Sequence, residues 1–588
     1  MDIKRLFDIL ERYTLNWPEQ QVALAGKQNG EWKKYSIRDY TGLADHISHA
    51  LIHLGIQPGD KVGIIATNRP EWNILDMGIM QTGAISVPIY PTISEKDYEY
   101  ILNHCEARLI VVEGADVMNK INTIMPRLPH LEHVYTFINR NRFPYLEQLI
   151  AIGKENPAPE ELQKRKESVR TEDCATIIYT SGTTGTPKGV MLSHANIINQ
   201  IVNLKDTPDP GSRIAFSFLP LCHAYERMLV FLYQFLGMSV YYAQNLGTIG
   251  DNIKEVNPTM MSAVPRMLEK IYDKIYAKGK SMTWPSRSIY YWAIKLAKKY
   301  KIEDSERSGW YNRKHRWADK MVYSKIRENI GGHFDIVVSG AASIQPRLAS
   351  FFSAIGMPIF EGYGLTETSP VIAVSRRGKY GREAGTVGPP LPGVEVKIGE
   401  NGEVMCRGHN VMLGYYKEPE LTASVIDRDG WFHTGDQGRF TEHGLLMITG
   451  RLKNIFKTSF GKYVNPQLIE EKFTESPFIE NMVVVGENQK FAGALIAPDF
   501  AFLKGWCERH DVEYTNPEDI VKHPLIVKRF QREIDKYNSF FGDYEKIKKF
   551  TLISDEWSQL TDILTPTLKV KRNLVQNKYK EVIDKMFA

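Results

Sequence analysis

The sequence has few cysteines and none of the patterns in which cysteine usually acts. Its five cysteines are scattered and form neither a paired-thiol nor a metal-ligand spacing, which predicts reduced thiols at Cys105, Cys174, Cys222, Cys406 and Cys507. The first residues are charged throughout and lack the apolar core of a secretory signal, so we expect a cytoplasmic protein. The longest uncharged apolar stretch, residues 228–243, is shorter than the roughly 20 residues that span a bilayer. We predict that it is a buried helix leading into a strand.

The sequence also lacks a strong charge of one sign and several common catalytic motifs. Its 74 basic and 69 acidic residues leave a net charge of +5, which argues against a nucleic-acid partner. No HExxH, CxxC or GxSxG pattern occurs, so zinc-dependent and serine-hydrolase chemistry lose their usual support. Function must therefore be inferred from other local motifs.

The charge is unevenly distributed along the chain. Residues 271–330 contain 15 Lys or Arg and 6 Asp or Glu, interleaved with tyrosines and tryptophans. Two interpretations stay open for this basic, aromatic insertion. It is either a solvated helical insertion with amphipathic packing, or a peripheral contact with an anionic membrane surface, which would be the inner face of a membrane.

Strand-length apolar runs alternate with helix-length periodic segments through the first two thirds of the chain. Residues 61–67, 108–114 and 175–180 are examples of the strands, and residues 40–55 of the helices. This alternation predicts an α/β fold whose large N-terminal body has mixed and parallel sheets covered by helices.

The texture changes near Gly385. Short strands separated by Gly and Pro predict a β-rich subdomain over about residues 385–451. New strand and helix signals begin after Arg451. We therefore divide the chain into a body, residues 1–451, and a smaller α+β C-terminal domain, residues 452–588.

The most informative motif lies at residues 175–202. A buried strand precedes a loop of hydroxylated residues and glycines, followed by Lys188 and a helical segment. Glycines allow backbone N–H groups to approach phosphate oxygens, while hydroxyls and a lysine add donors and positive charge. The segment predicts a polyphosphate site formed by Thr180, Ser181, Gly182, Thr183, Thr184, Gly185 and Lys188.

This loop differs from the common nucleotide motifs. A Walker A loop has Gly before the lysine and Ser or Thr after it, whereas Pro187 and Gly189 occupy those places. A dinucleotide fingerprint is also disfavoured, because Glu367 stands where a third glycine should follow Gly362 and Gly364.

The loop YTSGTTGTPKG resembles the signature of the adenylate-forming superfamily. Other segments resemble further motifs of that superfamily in its order: VVSGAAS at 337–343, EGYGLTETSP at 361–370, GWFHTGD at 430–436, ITGRLKNIFKTSFGKYVNP at 448–466 and LTPTLKVKR at 564–572. Three strings and the insertion are similar to the long-chain fatty-acid branch: PIYPT at 88–92, FLPLCHAYER at 218–227 and SAVPRMLEKIY at 262–272. One departure is Asn454, where many relatives have an acidic residue.

The resemblance implies roles for individual residues of the nucleotide site. Thr366 would contact the adenylate phosphate, and Thr180 with Glu367 would hold Mg²⁺, a hard ion suited to oxygen ligands. Asp436 would accept the ribose hydroxyls, with Arg451 beside it. The adenine base and the adjoining part of the nucleotide would be bound by Gly340, Ala341, Glu361, Gly362, Tyr363 and Gly364.

The resemblance also implies roles in the reaction itself. Lys569 would bring an ammonium to the carboxylate and α-phosphate, with its neighbours Lys571 and Arg572 as alternatives for this role. His223 has two open interpretations, a structural histidine or a group beside the acyl pocket. The C-terminal domain would be mobile, turning about Lys453 to bring the loop around Gly461 to CoA.

The expected activity is that of an AMP-forming long-chain fatty acid:CoA ligase. ATP, a fatty acid and CoA are the expected partners, with Mg²⁺ as cofactor and no nucleic acid. One alternative is an adenylating enzyme for another carboxylic acid that loads a carrier-protein thiol. Another is a non-catalytic nucleotide sensor or membrane scaffold, which retention of Glu367, Asp436, Arg451 and Lys569 disfavours.

Overall fold

The computed structural model describes residues 3–139, 143–181, 186–209, 211, 213–558, 561, 563–565 and 569–588, without the side chains of Ser181, Leu246 and Asp304. The chain forms two compact units. The larger unit comprises Met1–Lys397, Met405–Thr434 and Phe440–Met447, and the smaller comprises Ile398–Val404, Gly435–Arg439 and Ile448–Ala588.

The strands are, in chain order, β1 Leu24–Gln28, β2 Glu31–Tyr35, β3 Lys61–Ile65, β4 Ile85–Ile89, β5 Ala107–Val112, β6 His133–Thr136, β7 Cys174–Ser181, β8 Pro187–Ser193, β9 Ile214–Ser217, β10 Ser239–Tyr242, β11 Met260–Ala263, β12 Ile336–Ser339, β13 Ile359–Gly364, β14 Val371–Val374, β15 Val394–Ile398, β16 Glu403–Gly408, β17 Gly414–Tyr415, β18 Phe432–Phe440, β19 Leu446–Arg451, β20 Phe456–Lys457, β21 Tyr463–Val464, β22 Ile479–Val485, β23 Ala492–Pro498 and β24 Ile547–Leu552.

The α-helices are, in chain order, α1 Asp8–Asn16, α2 Ile37–His53, α3 Pro70–Gln81, α4 Glu95–Cys105, α5 Ala115–Ile124, α6 Leu146–Glu155, α7 Pro159–Ser168, α8 His194–Leu204, α9 Ala224–Phe235, α10 Ile249–Val256, α11 Pro265–Lys278, α12 Ser286–Ala297, α13 Gly309–Ala318, α14 Ser324–Asn329, α15 Pro346–Ala354, α16 Pro419–Ala423, α17 Pro466–Phe473, α18 Phe500–Glu508, α19 Pro517–Lys522, α20 Pro524–Asn538, α21 Arg572–Lys578 and α22 Lys580–Phe587.

Two large sheets organise the larger unit. Within the described residues, one sheet has the order β14-β13-β12-β11-β9-β10-β1-β2 and the other β17-β8-β7-β4-β3-β5-β6. Most neighbours pair in parallel, as β12 does with β11 and β13, while β8 pairs antiparallel with β7. The expected α/β body with mixed and parallel sheets is confirmed.

Local sequence signals explain where several helices begin. Ser36 and Asp39 form a reciprocal capping box at the start of α2, and Ser193 with Asn196 does the same for α8. All twelve residues of α9 are buried, and β10 follows shortly after. The prediction that residues 228–243 form a buried helix leading into a strand is therefore confirmed. No helix among the described residues is long and apolar enough to cross a membrane.

The β-rich region contains a four-stranded sheet with the order β15-β16-β18-β19. The chain passes between the two units inside these strands, because the boundaries at 397/398, 404/405, 434/435, 439/440 and 447/448 fall within them. The smaller unit adds the β20–β21 hairpin and the sheet β22-β23-β24. Its own hydrophobic core includes Ile469, Phe473, Ile496 and Phe530, all fully buried.

The basic, aromatic insertion folds into helices α11 to α14 and packs amphipathically. Its Tyr290, Ala293 and Tyr323 are buried in a core cluster of the larger unit. The Tyr290 hydroxyl donates to the carbonyl of Ile275 at 2.7 Å, and the Tyr323 hydroxyl donates to the carbonyl of Ala293 at 2.7 Å. The large side chains on its other faces stay exposed: Tyr276, Trp284, Trp292, Trp310, Trp317 and Met321.

Candidate active site

The predicted base-binding residues lie where neighbouring parallel strands end. Ser339, the last residue of β12, is paired with Glu361 of β13, so the segments that follow both strands leave the same edge of the sheet. The N–H of Gly340 bonds back to the carbonyl of Ala263 at the end of β11. Ligands of open α/β sheets bind at such carboxyl ends. This edge therefore brings together two segments that are about 20 residues apart in the chain.

The backbone at this edge is closely packed. Ala341 has a φ of +68°, a conformation that a non-glycine residue adopts at a cost. A Cβ on Gly364 would lie 1.7 Å from the carbonyl oxygen of Pro370, so only glycine fits there. Gly362 and Tyr363 are half-buried, and Thr366, in the turn that follows, is buried.

The predicted phosphate residues lie on an antiparallel hairpin. Thr180 is directly paired with Lys188 across β7 and β8, and both are half-buried. The sequence interpretation that Lys188 leads into a helix is corrected here, because β8 separates Lys188 from α8, which begins only at His194. The lysine is thus held by strand pairing rather than by a helix N-terminus. Gly182, Thr183, Thr184 and Gly185 and the side chain of Ser181 lie outside the described residues.

Tyr415 connects the hairpin to the predicted catalytic turn, and sequence reasoning missed it. Its strand β17 pairs with β8, and its ring lies 5.4 Å from the ammonium of Lys188. Its hydroxyl donates to Oε1 of Glu367 at 2.9 Å, and the N–H of Met412 donates to the carbonyl of Glu367 at 2.9 Å. Burial and the neighbouring carboxylate raise the pKa of Tyr415, so the hydroxyl remains a donor.

His223 caps the N-terminus of α9. Its Nδ1 accepts from the N–H of Tyr225 at 3.2 Å, so the ring has a structural contact, and its proximity to an acyl group stays a prediction. The Tyr225 hydroxyl donates to the carbonyl of Val338 at 2.9 Å, and a Cβ on Gly340 would lie 3.0 Å from the Tyr225 ring. The start of α9 is thereby joined to the base-binding edge.

A buried carboxylate lies on the same helix, α9, at the residue after Tyr225. Glu226 is fully buried and accepts from the hydroxyls of Ser217 on β9 and Ser262 on β11. Burial raises its pKa to about 7, and the two serines act in the opposite direction. Ser217 and Ser262 belong to strands that end at the same edge.

Three of the predicted residues meet within the smaller unit. Nε of Arg451 lies 3.5 Å from Oδ1 of Asp436, whose side chain is only 14% exposed. Lys569 is close enough to both for their charges to act on it. The residue has exposed surface, and desolvation of its ammonium lowers its pKa. Arg451 lowers that pKa further, whereas Asp436 raises it.

The predicted hinge and CoA-loop residues also lie in the smaller unit. Lys453 is exposed in a 3₁₀ turn, Leu452–Asn454, directly after β19. Gly461, with a φ of +77°, forms the turn between β20 and β21 and donates to the carbonyl of Thr458 at 2.9 Å.

The donor set fits magnesium better than a transition metal. Among the described residues, no three His, Cys, Asp or Glu side chains cluster as metal ligands. The Thr180 hydroxyl and the Glu367 carboxylate are hard oxygen donors. Thr180 lies on β7, and Glu367 lies in a turn that packs against β8, the antiparallel neighbour of β7. Mg²⁺ typically takes few protein oxygens and completes its shell with phosphates and water.

Two models of known protein families match the chain. The model of the AMP-binding enzyme family matches residues 10–416, and that of the AMP-binding enzyme C-terminal domain matches residues 454–588. The chain belongs to the AMP-binding enzyme family.

Curated relatives of this AMP-binding enzyme align over nearly its whole length. A long-chain-fatty-acid–CoA ligase of Mycobacterium tuberculosis is 32% identical over 95% of this chain and 93% of its own. Long-chain-fatty-acid–CoA ligase 1 of Homo sapiens is 30% identical over 95% of this chain and 82% of its own. Fatty acyl-CoA synthetase A of Dictyostelium discoideum is 30% identical over 96% and 87%.

Solved structures share the fold of this AMP-binding enzyme. The adenylation domain of a carboxylic acid reductase from Segniliparus rugosus, in complex with AMP and a carboxylic acid, has a TM-score of 0.77 at 20% identity, covering 99% of this chain and 94% of that one. A fatty acyl CoA synthetase of Mycobacterium tuberculosis has a TM-score of 0.60 at 19% identity, with 98% and 99% coverage.

Proposed function

We propose that this AMP-binding enzyme is an acid–thiol ligase that converts a long-chain fatty acid, ATP and CoA into acyl-CoA, AMP and diphosphate. The observation that carries the proposal is the full-length similarity to ligases named for this substrate class, at 30–32% identity over at least 95% of the chain. The arrangement of charges and donors described above is compatible with each step.

In the first step, a carboxylate oxygen attacks the α-phosphorus and the bond to diphosphate breaks. The fatty carboxylate is already ionised at neutral pH and needs no base. The difficulty is that one anion approaches another, so positive groups aimed at the phosphates lower the barrier. Lys188, beside Thr180, would serve the β- and γ-phosphates, and Lys569 the carboxylate and α-phosphate. Bound Mg²⁺, held by Thr180 and Glu367, would neutralise further phosphate charge.

The remaining nucleotide contacts are proposed from the resemblance of the motifs. Gly340, Ala341 and Tyr363 would hold adenine, with Glu361, Gly362 and Gly364 shaping the edge and Thr366 reaching the phosphate. Asp436 would accept the ribose hydroxyls, with Arg451 beside it at 3.5 Å.

In the second step, the CoA thiolate attacks the acyl carbonyl and the bond to AMP breaks, leaving a thioester. The thiol proton leaves to solvent, since no base is assigned. We propose that residues 452–588 turn about Lys453 between the steps and bring the Gly461 turn to CoA.

The reaction is tested by exchange of labelled diphosphate into ATP with acetate, benzoate, octanoate and palmitate, followed by thioester detection with CoA. Exchange strongest with palmitate and palmitoyl-CoA as product are expected. Exchange without thioester would point to a carrier-protein acceptor, and no exchange with any acid would point to a nucleotide sensor.

We also propose that the exposed face of the insertion contacts anionic lipid. Trp310, Trp317 and Met321 follow one another at helical spacing, and Trp310 and Trp317 are each 65% exposed. Lys314 lies 4.9 Å from the Trp310 ring and Arg313 and Arg316 are exposed beside it. Exposed indoles among cations complement the interface of an anionic bilayer.

Vesicle flotation tests this surface. The protein should float with vesicles containing phosphatidylglycerol at low salt, less at high salt, and poorly after Trp310→Ala/Trp317→Ala. Phe540→Ala, at a residue 61% exposed in the smaller unit, is the matched control and should float normally. Equal flotation of the double variant, or no flotation of the unaltered protein, would exclude this face.

A further inference from the structure

A half-buried ion pair begins three residues after Lys569, at Arg572. Nη2 of Arg572, the first residue of α21, is 2.6 Å from both carboxylate oxygens of Glu470 on α17. Nη1 donates to the carbonyl of Val484 on β22 at 2.9 Å, and the N–H of Val484 donates back to Glu470 at 2.6 Å. Each ionic side chain is 17% exposed. One guanidinium thus joins three elements of the smaller unit.

The Glu470 carboxylate depends on the Arg572 guanidinium to balance its charge. Burial raises the pKa of Glu470, while Arg572 and the Val484 N–H lower it. A carboxylate largely shielded from water is unfavourable without its cation, so we expect the pair to hold together. The fork of arginine makes three directed bonds here, whereas a lysine ammonium would fix no plane.

A short backbone arm runs from this pair to Lys569. The N–H of Lys571 donates to the carbonyl of Ile563 at 2.9 Å, and Leu564 forms an antiparallel bridge with Val570. At the far end, Thr565 N–H donates to the carbonyl of Lys569 at 2.8 Å, and Lys569 N–H donates to the Thr565 hydroxyl at 3.0 Å. We define residues 563–565 and 569–571 as the lysine arm. Because these backbone bonds join the two segments, we expect the direction of the arm to depend on how its base is held.

We propose that the Arg572–Glu470 pair is the positioning device for Lys569 during adenylation. This inference rests on the proposed function, because it assigns Arg572 a role only through Lys569. Arg572 is a positioning residue, since it faces Glu470 and Val484 rather than the reacting atoms. A misplacement of about 1 Å can slow a reaction by up to about 100-fold.

The informative variant is Arg572→Lys, which keeps the charge and removes the fork. At saturating ATP, we expect single-turnover adenylation to slow at least about 10-fold with little change in KM for ATP. Thioester formation from supplied acyl-adenylate and CoA should be unchanged, because Lys569 serves the first step alone. The double variant Arg572→Lys/Lys569→Ala should adenylate no more slowly than Lys569→Ala alone.

Two further proteins control for folding. Arg529→Lys alters another arginine–carboxylate pair of the smaller unit, that of Arg529 with Glu533, and should leave both steps intact. Glu470→Leu/Arg572→Met replaces the whole pair with apolar side chains, which folded proteins often tolerate, and should still slow adenylation.

The arm is also measured without turnover. Amide hydrogen exchange over the lysine arm should accelerate in Arg572→Lys and not in Arg529→Lys. The positioning role would be overturned by unchanged amide hydrogen exchange in Arg572→Lys or by equal slowing of adenylation and thioester formation. It would also be overturned if the Arg572→Lys and Lys569→Ala effects on the adenylation rate multiplied in the double variant. Absence of diphosphate exchange in the unaltered protein would instead reject the proposed function. Amide hydrogen exchange would still show whether the Arg572–Glu470 pair orders the lysine arm.

Discussion

At the scale of single residues, Tyr415 is the contact on which the geometry of Glu367 most directly depends. Its hydroxyl holds one carboxylate oxygen of Glu367, while its ring faces Lys188. A hydrogen bond to a charged group contributes about 1.5–3 kcal/mol, which is enough to orient a metal-binding carboxylate.

Tyr415→Phe should therefore raise the Mg²⁺ concentration needed for half-maximal diphosphate exchange by about 10-fold, from the loss of one such bond. The ring, and with it the Lys188 contact, is retained. A magnesium titration of exchange activity measures the effect, and Tyr416→Phe at the neighbouring half-buried tyrosine serves as control. An unchanged titration would mean that the hydroxyl does not orient Glu367.

The protonation of Glu226 should make the stability of the protein depend on pH. Its pKa of about 7 in the folded protein lies above the usual 4.5. A raised carboxyl pKa means that the folded state retains a proton that the unfolded chain releases, so stability falls as pH rises from about 4.5 to 7 and levels off above.

Glu226→Gln should remove this dependence. Relative to the unaltered protein, the variant should gain about 2–3 kcal/mol in unfolding free energy between pH 5 and pH 8, at 1.36 kcal/mol per pKa unit. Urea denaturation at the two pH values provides the measurement. Glu328→Gln, at an exposed carboxylate, should show no such gain. A constant difference across pH would show that Glu226 is ionised at both.

At the scale of elements, the 3₁₀ turn Leu452–Asn454 is where the proposed rotation would occur. The turn directly follows β19 and precedes the β20–β21 hairpin. Proline adopts the φ of a 3₁₀ turn, so a proline at 453 is compatible with this conformation but forbids a large change in φ.

Lys453→Pro should accordingly leave diphosphate exchange near its normal rate and block acyl-CoA formation. Lys453→Ala keeps the backbone freedom and should form thioester. Both steps are followed in one stopped assay with labelled palmitate. Normal thioester formation by the proline variant would contradict a rotation about this residue.

At the scale of the whole molecule, each unit has its own core. Phe231 is fully buried in a cluster of the larger unit, and Phe530 is fully buried in one of the smaller unit, 6.0 Å from the ring of Phe478. Separate cores are typical of proteins that do not unfold in a single two-state transition.

We expect two transitions by calorimetry. Phe530→Ala should lower the stability of one transition by about 3–5 kcal/mol, the usual result of deleting a buried phenyl ring, and leave the other in place. Phe231→Ala should act on the other transition. A single transition shifted by both variants would indicate that the units unfold together.

Local sequence was sufficient to determine many elements and the order of the motifs. The apolar runs at 61–67, 108–114 and 175–180 became β3, β5 and β7, and residues 40–55 lie within and directly after α2. Alternation of strands and helices predicted the α/β body, because periodicity depends only on neighbouring residues. Asp436, Arg451 and Lys569 were singled out by the resemblance of their motifs to the adenylate-forming superfamily, and their roles stay predictions.

Only the tertiary structure decided which distant residues touch. Tyr415 bonds to a residue 48 positions away, Glu226 takes a bond from Ser262, and Arg572 reaches across 102 positions to Glu470. Lys188 likewise lies on a strand rather than before a helix, because β8 pairs with β7. Sequence periodicity specifies which face of an element is buried, but the partner that satisfies a buried polar group is set by how separate elements pack. That packing is why the network supporting the site could be found only in the folded chain.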